Sequence, residues 1–170
     1  QSETVGKAIK GVELKIVDDN RQELPRGTVG EITTRTQGLM KGYYNLPEQT
    51  REEVDEEGWF YTGDLGTMDE RGYIRIVGRK KEMLIRGGYN VYPTEIEEAF
   101  YEHPAVLEVA IVGFPDTVLG EVSCAAITLK EKNAISKDEL KTYISSKVAD
   151  YKVPDHIVIV EELPKTASGK

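Results

Sequence analysis

Four cations, Arg79, Lys80, Lys81 and Arg86, fall within eight residues of one another, and the double glycine Gly87-Gly88 follows them directly. Fixed positive charge beside backbone that can take positive φ, or let a ligand lie against the main chain, suits a phosphate-bearing molecule. A cation run is otherwise a solvated face, and the glycines decide between the two. Within the run, Lys80 has the character of a surface lysine with no role of its own. Upstream, Thr62-Gly63-Asp64 follows the apolar Trp59-Phe60-Tyr61. A carboxylate at a strand end can accept two hydrogen bonds from a vicinal diol, and a glycine beside it leaves room for one. Taken alone, that tripeptide is first of all a tight turn. Lys170, taken alone, is a solvated charge on the small, flexible approach Thr166-Ala167-Ser168-Gly169.

The elements that must position these residues change texture along the chain. Gly11 to Asp18 alternates as a half-buried strand, with Val12, Leu14 and Ile16 on one face, ended by Asp18-Asp19-Asn20. Leu24-Pro25-Arg26-Gly27 marks a turn, and Val29 to Thr36 returns as a strand able to pair with the first. Pro47 opens a short helix running to about Val54. The predicted turn at Thr62-Gly63-Asp64 precedes a strand near Leu65 to Met68, and Asp69-Glu70-Arg71-Gly72 turns the chain into a strand from Tyr73 to Val77. Beyond Met83 to Ile85 the order is helix, strand, strand, helix, strand. Thr94 with Glu97 and Ser136 with Glu139 both carry the capping-box spacing. Ile96 and Phe100 give the first helix one buried face, and Leu140, Ile144 and Val148 do so for the second. Phe114-Pro115-Asp116 is expected to turn between the two middle strands. From Met83 onward the chain is a compact α+β unit of about 90 residues, a plausible small domain.

Formal net charge is -8 over 170 residues, which disfavours a sequence-independent grip on nucleic acid or an anionic membrane. The 39% hydrophobic content fits soluble globular material of one or two domains. No run of about 18 apolar residues is present to form a transmembrane helix. The single cysteine, Cys124, excludes an internal disulfide and fits a reducing, cytoplasmic setting. His103 and His156 stand apart from any metal-ligand spacing, so a capping or surface role is expected for each and no metal site is assigned.

Three blocks together carry a resemblance. They are Tyr61-Thr62-Gly63-Asp64-Leu65-Gly66; Gly78-Arg79-Lys80-Lys81 followed by Arg86-Gly87-Gly88-Tyr89-Asn90-Val91-Tyr92-Pro93-Thr94-Glu95-Ile96-Glu97; and Leu163-Pro164-Lys165-Thr166-Ala167-Ser168-Gly169-Lys170. In this order the chain resembles the AMP-forming acyl-CoA synthetases, within the adenylate-forming group that includes peptide-carrier adenylation domains and firefly luciferase. The resemblance implies two steps. A carboxylate attacks the α-phosphate of ATP, releasing pyrophosphate, and the thiol of coenzyme A then displaces AMP from the acyl-adenylate. It implies ATP with magnesium, coenzyme A as co-substrate and a carboxylic acid, fatty in character from the Arg86 to Pro93 run.

By the same resemblance Asp64 and Arg79 bind the nucleotide through its ribose, Lys170 is catalytic, Lys81 is the hinge, and Gly87 and Gly88 line the pantetheine passage. Residues 1–80 would be the incomplete, β-rich C-terminal part of the large adenylate-binding domain, and 81–170 the small mobile α+β domain. The chain is then expected to be a C-terminal piece, inactive without the N-terminal portion that holds the magnesium ligands and acyl pocket. Val153 and Asp155 depart from members with basic residues there. An adenylation domain loading a phosphopantetheine carrier, and a non-catalytic α+β interaction module, are the alternatives.

Overall fold

The computed structural model describes residues 4–132 and 134–165, and the chain divides after Lys81 into two compact units. The fold is α+β.

The first unit is a four-stranded antiparallel meander, β1 (Val12–Val17), β2 (Gly30–Thr36), β3 (Phe60–Met68) and β4 (Ile74–Arg79), with one short helix, α1 (Pro47–Glu53), between β2 and β3. β1 and β2 pair from Val12↔Thr36 to Val17↔Glu31, as their alternation requires. Neighbouring strand residues point to opposite faces, and each face gathers its own cluster: Ile16, Ile32, Met68 and Ile74 on one, Val17, Trp59 and Tyr61 on the other. Both clusters are small. Cations extend the second, with Lys15 at 4.0 Å and Arg35 at 4.6 Å from the Trp59 ring and Arg21 at 4.2 Å from Tyr61. Asp55, where the sequence breaks the short helix, closes the loop before β3. Its carboxylate accepts from the Glu57 and Trp59 amides and from the Tyr61 hydroxyl.

Two expectations fail here. Thr62-Gly63-Asp64 is no turn: β3 runs unbroken through it, and the tripeptide is absorbed as a bulge in the ladder to β2. β4 likewise continues through Gly78 to Arg79 rather than ending at Val77.

The second unit has strands β5 (Leu84–Arg86), β6 (Tyr89–Val91), β7 (Val106–Asp116), β8 (Gly120–Leu129) and β9 (His156–Ile159), with helices α2 (Pro93–Tyr101) and α3 (Lys137–Ser145). The sheet order is β6-β5-β8-β7, and β9 joins β8 in parallel across Cys124 to Ile127. Ile96 and Phe100 of α2 and Leu140 and Ile144 of α3 are fully buried against Val109, Ile111, Ala125 and Ile127, which form one continuous core. At roughly 1.5–3 kcal/mol for each large apolar side chain, this burial dominates the unit's stability.

Of the two capping boxes, one exists. Ser136 caps α3 reciprocally with Glu139. At α2 the cap position is Tyr92, Pro93 takes the first helical position, and Thr94 makes no cap bond. Glu97 has a different partner, the Ile111 amide of β7 at 2.9 Å. The Phe114-Pro115-Asp116 turn also fails, because β7 runs on to Asp116, whose carboxylate then accepts from the Val118 and Leu119 amides and closes a tighter turn. The strand β6 after the double glycine was not foreseen.

Candidate functional site

The antiparallel pairing of β3 and β4 sets Asp64 opposite Arg79. Their side chains meet, with Arg79 Nε 3.3 Å from Asp64 Oδ1, and remain 66% and 35% exposed. An ion pair this open contributes about 0–1 kcal/mol to stability, so its geometry is free to serve a ligand. Gly63, just before Asp64, has φ +74°, a conformation that a side chain disfavours. Because β3 bulges here, its polar groups lose ladder partners and side chains replace them. The Thr62 hydroxyl donates to the Ile32 carbonyl at 2.7 Å and accepts from the Asp64 amide, and Glu31 Oε1 accepts from the Gly63 amide at 3.0 Å.

A cleft of about 510 Å³ opens beside this pair within the first unit, lined among others by Tyr43, Glu53, Tyr61, Gly63, Arg79 and Lys81. The Tyr43 hydroxyl donates to Glu53 at 2.6 Å, which holds the Glu53 carboxyl below its ordinary range and pushes the Tyr43 phenol up. Lys81 is exposed, in a single 3₁₀ turn from Lys80 to Glu82.

The expectation of a run of cations held ready for phosphate needs correction. Arg79 faces Asp64, and Lys80 is gripped by Asp19 at 2.8 Å and Glu31 at 3.1 Å, which raises its ammonium pKa. Lys80 is therefore no idle surface lysine. Arg86 forks onto Asp155, Nη2 to Oδ1 at 2.5 Å and Nε to Oδ2 at 3.1 Å. Burial pushes the Asp155 carboxyl up, but the Arg86 fork and the Ser123 amide together hold it below its usual value.

Gly87 and Gly88 form the two-residue loop of the β5–β6 hairpin, at φ +57° and +84°. Positive φ at both positions is the demand of a type I′ turn, and glycine meets it. The hairpin is pinned near its tip. The Gly87 amide donates to the Leu119 carbonyl at 2.7 Å, the Ile85 amide to Glu121 at 2.6 Å, and Tyr89 stacks on Tyr151 with centroids 4.7 Å apart. Among the described residues, its chain neighbours aside, no atom lies within 4 Å of where a Gly88 side chain would begin, so a ligand could approach its backbone closely.

Lys170 lies outside the described residues. Lys165, just before that stretch, binds Glu108 at the start of β7. Among the described residues no group of three or more His, Cys, Asp and Glu side chains is placed to hold a metal ion. His103 Nδ1 accepts from the Ala105 amide and closes the turn after α2. Burial pushes the Cys124 thiol up. No helix among the described residues is long and apolar enough to cross a membrane.

The sequence matches the family model of the AMP-binding enzyme over residues 1–44 and that of the AMP-binding enzyme C-terminal domain over residues 95–170. It is 47% identical to the medium-chain fatty-acid–CoA ligase of Escherichia coli, over 98% of this chain and 30% of that protein. It is 41% identical to the mitochondrial medium-chain acyl-CoA ligase ACSF2 of Homo sapiens, over 100% and 28%. The fold matches o-succinylbenzoate CoA synthetase (MenE) from Bacillus subtilis, solved with the acyl-adenylate intermediate OSB-AMP. That match has a TM-score of 0.93 and 33% identity, and covers 100% of this chain and 34% of that one. The chain thus spans about a third of the length of these relatives. With both family models and all three likenesses in agreement, the chain belongs to the adenylate-forming, AMP-binding enzymes.

Proposed function

We propose that this chain is the C-terminal part of an ATP-dependent, AMP-forming ligase that activates a fatty acid as acyl-adenylate and passes it to coenzyme A. The observation that carries the reading is the accessible Asp64–Arg79 pair beside a cleft, on a bulge whose glycine leaves the carboxylate clear. The Asp64 carboxylate accepts hydrogen bonds from both ribose hydroxyls, and the Arg79 guanidinium steadies it and the sugar. Relatives named as coenzyme A ligases favour coenzyme A over a carrier-bound pantetheine as acceptor, and two of them named for medium-chain substrates make such acids the first to try.

In adenylate formation a carboxylate and a triphosphate repel each other, and negative charge crowds at the α-phosphorus. An ammonium there attracts both reactants and the transition state, which is the role given to Lys170. For thioester formation Lys81 serves as hinge between residues 1–80 and the mobile domain 81–170, which then brings the Gly87-Gly88 loop to the pantetheine arm. The open space at Gly88 supports that role. The first step would draw on ATP with magnesium, whose ligands the resemblance assigns to the N-terminal portion of such enzymes. The single cysteine supports a reducing compartment such as the cytoplasm.

The test is to follow the two half-reactions separately in the full-length protein. Lys170→Ala is expected to abolish pyrophosphate exchange while leaving thioester formation from supplied acyl-adenylate largely intact. Equal losses in both would remove the catalytic assignment. AMP release from ATP, fatty acid and coenzyme A by the 170-residue chain alone would contradict the division of labour.

A further inference from the structure

We infer that Glu31 is a positioning residue of the nucleotide site, a single carboxylate that ties the chain beside Asp64 to the chain beside Arg79. The inference rests on the reading of Asp64 as ribose acceptor and goes beyond it, because the hydrogen bonds of Glu31 go to the neighbours of Asp64 and Arg79 and not to the pair itself. Glu31 stands on β2 with its side chain 11% exposed. Carboxylates are seldom so buried unless paired, since removing the charge from water is costly. Both of its oxygens are engaged, and they point to different segments. Oε1 accepts from the amide of Gly63, the residue before Asp64, at 3.0 Å. Oε2 accepts from the ammonium of Lys80, the residue after Arg79, at 3.1 Å.

The reason lies in the ladder. Glu31 pairs with Leu65 and Thr33 with Tyr61, so three residues of β3, Thr62 to Asp64, stand opposite the single Ile32. The bulge frees the Gly63 amide from backbone pairing, and the Glu31 side chain takes it. Without that bond, the Thr62 hydroxyl would be left to tie the bulge on its β2 side, with the Asp64–Arg79 pairing on the other edge. Just past the other strand, Lys80 also binds Asp19, at 2.8 Å the shorter contact, but Asp19 is 88% exposed, which leaves Glu31 as the inner of its two anchors. Asp64 and Arg79 are thereby held facing each other from outside the pair. Placing a binding pair before its ligand arrives reduces the ordering that binding must supply.

The test uses ATP–pyrophosphate exchange by the full-length protein, with nuclear magnetic resonance of the Gly63 amide in the 170-residue chain as a second readout. Glu31→Ala is expected to raise KM for ATP about tenfold, the scale of one lost charged hydrogen bond, with kcat changed less than about twofold. Glu31→Gln keeps an acceptor for Gly63 but loses the charge on Lys80. It is expected to shift the Gly63 amide resonance and raise KM by a smaller factor, and it serves if Glu31→Ala does not fold. The double variant Glu31→Ala with Asp64→Ala should lose clearly less than a further tenfold relative to Asp64→Ala alone, because Glu31 acts in part through Asp64. A full tenfold loss persisting in the Asp64→Ala background, or an unmoved Gly63 resonance in Glu31→Gln, overturns the inference. Should Asp64→Ala itself leave KM for ATP unchanged while the Gly63 resonance still responds, the ribose reading falls and Glu31 is left with no site to position.

Discussion

The two units reach order by different means. The second buries one continuous apolar core between two helices and a five-stranded sheet, with Ile96, Phe100, Leu140 and Ile144 entirely withdrawn from water. The first splits a smaller apolar set across the two faces of a meander and finishes the job with cations over rings and with carboxylates holding backbone amides. The proposed ribose pair lies in the first unit, ordered largely by polar contacts, and the proposed pantetheine loop in the core-built second unit. In the core-built unit, geometry should survive loss of polar contacts and fail with loss of packing. In the first unit the balance should be reversed.

The largest expected effect follows from the core. Phe100→Ala should cost about 3–5 kcal/mol, read by urea denaturation of residues 82–170, because its cavity would sit where helix and sheet meet. A cost below about 1 kcal/mol would break the comparison.

Next is Arg86→Ala, which strands a carboxylate 19% exposed and should cost about 2 kcal/mol in the same measurement. The pH dependence has a definite sign. The folded Asp155 pKa is lowered, so its contribution is fully present above the ordinary aspartate value, about 4, and is lost as pH falls through the lower folded value. Asp155→Asn should flatten that acid limb. Glu97 has the opposite sign, since burial raises its folded pKa; its contribution is present below the ordinary glutamate value and lost as pH rises through the folded one.

The smallest effects sharpen the contrast between two identical signatures. Ser136→Ala should cost about 1 kcal/mol, whereas Thr94→Ala should stay within about 0.5 kcal/mol, because only the first box is formed. Equal costs in thermal unfolding would contradict the cap geometry.

Local signals were legible in the sequence wherever the partner is also local. The β1–β2 alternation, the buried faces of α2 and α3 and the Ser136 cap all rest on spacings of two to four residues. The Thr94 spacing misled because Pro93 took the first helical position and Glu97 found a partner 14 residues away. Asp64 and Arg79 could be singled out by the family resemblance, but their contact is a matter of strand register. Lys80 looked idle because Glu31 lies 49 residues before it, and the structural partner of Asp155 went unseen because its arginine lies 69 residues before it. Long-range pairs of this kind leave no periodic trace in a single sequence.

The account depends most on Asp64 recognising a ribose diol. The direct measurement is calorimetric affinity of the full-length protein, wild type and Asp64→Ala, for AMP and for 2′,3′-dideoxy-AMP, which lacks both hydroxyls. The account predicts that the wild type loses about tenfold or more on removal of the diol and that Asp64→Ala binds the two nucleotides alike. A diol preference that persists undiminished in Asp64→Ala would contradict it.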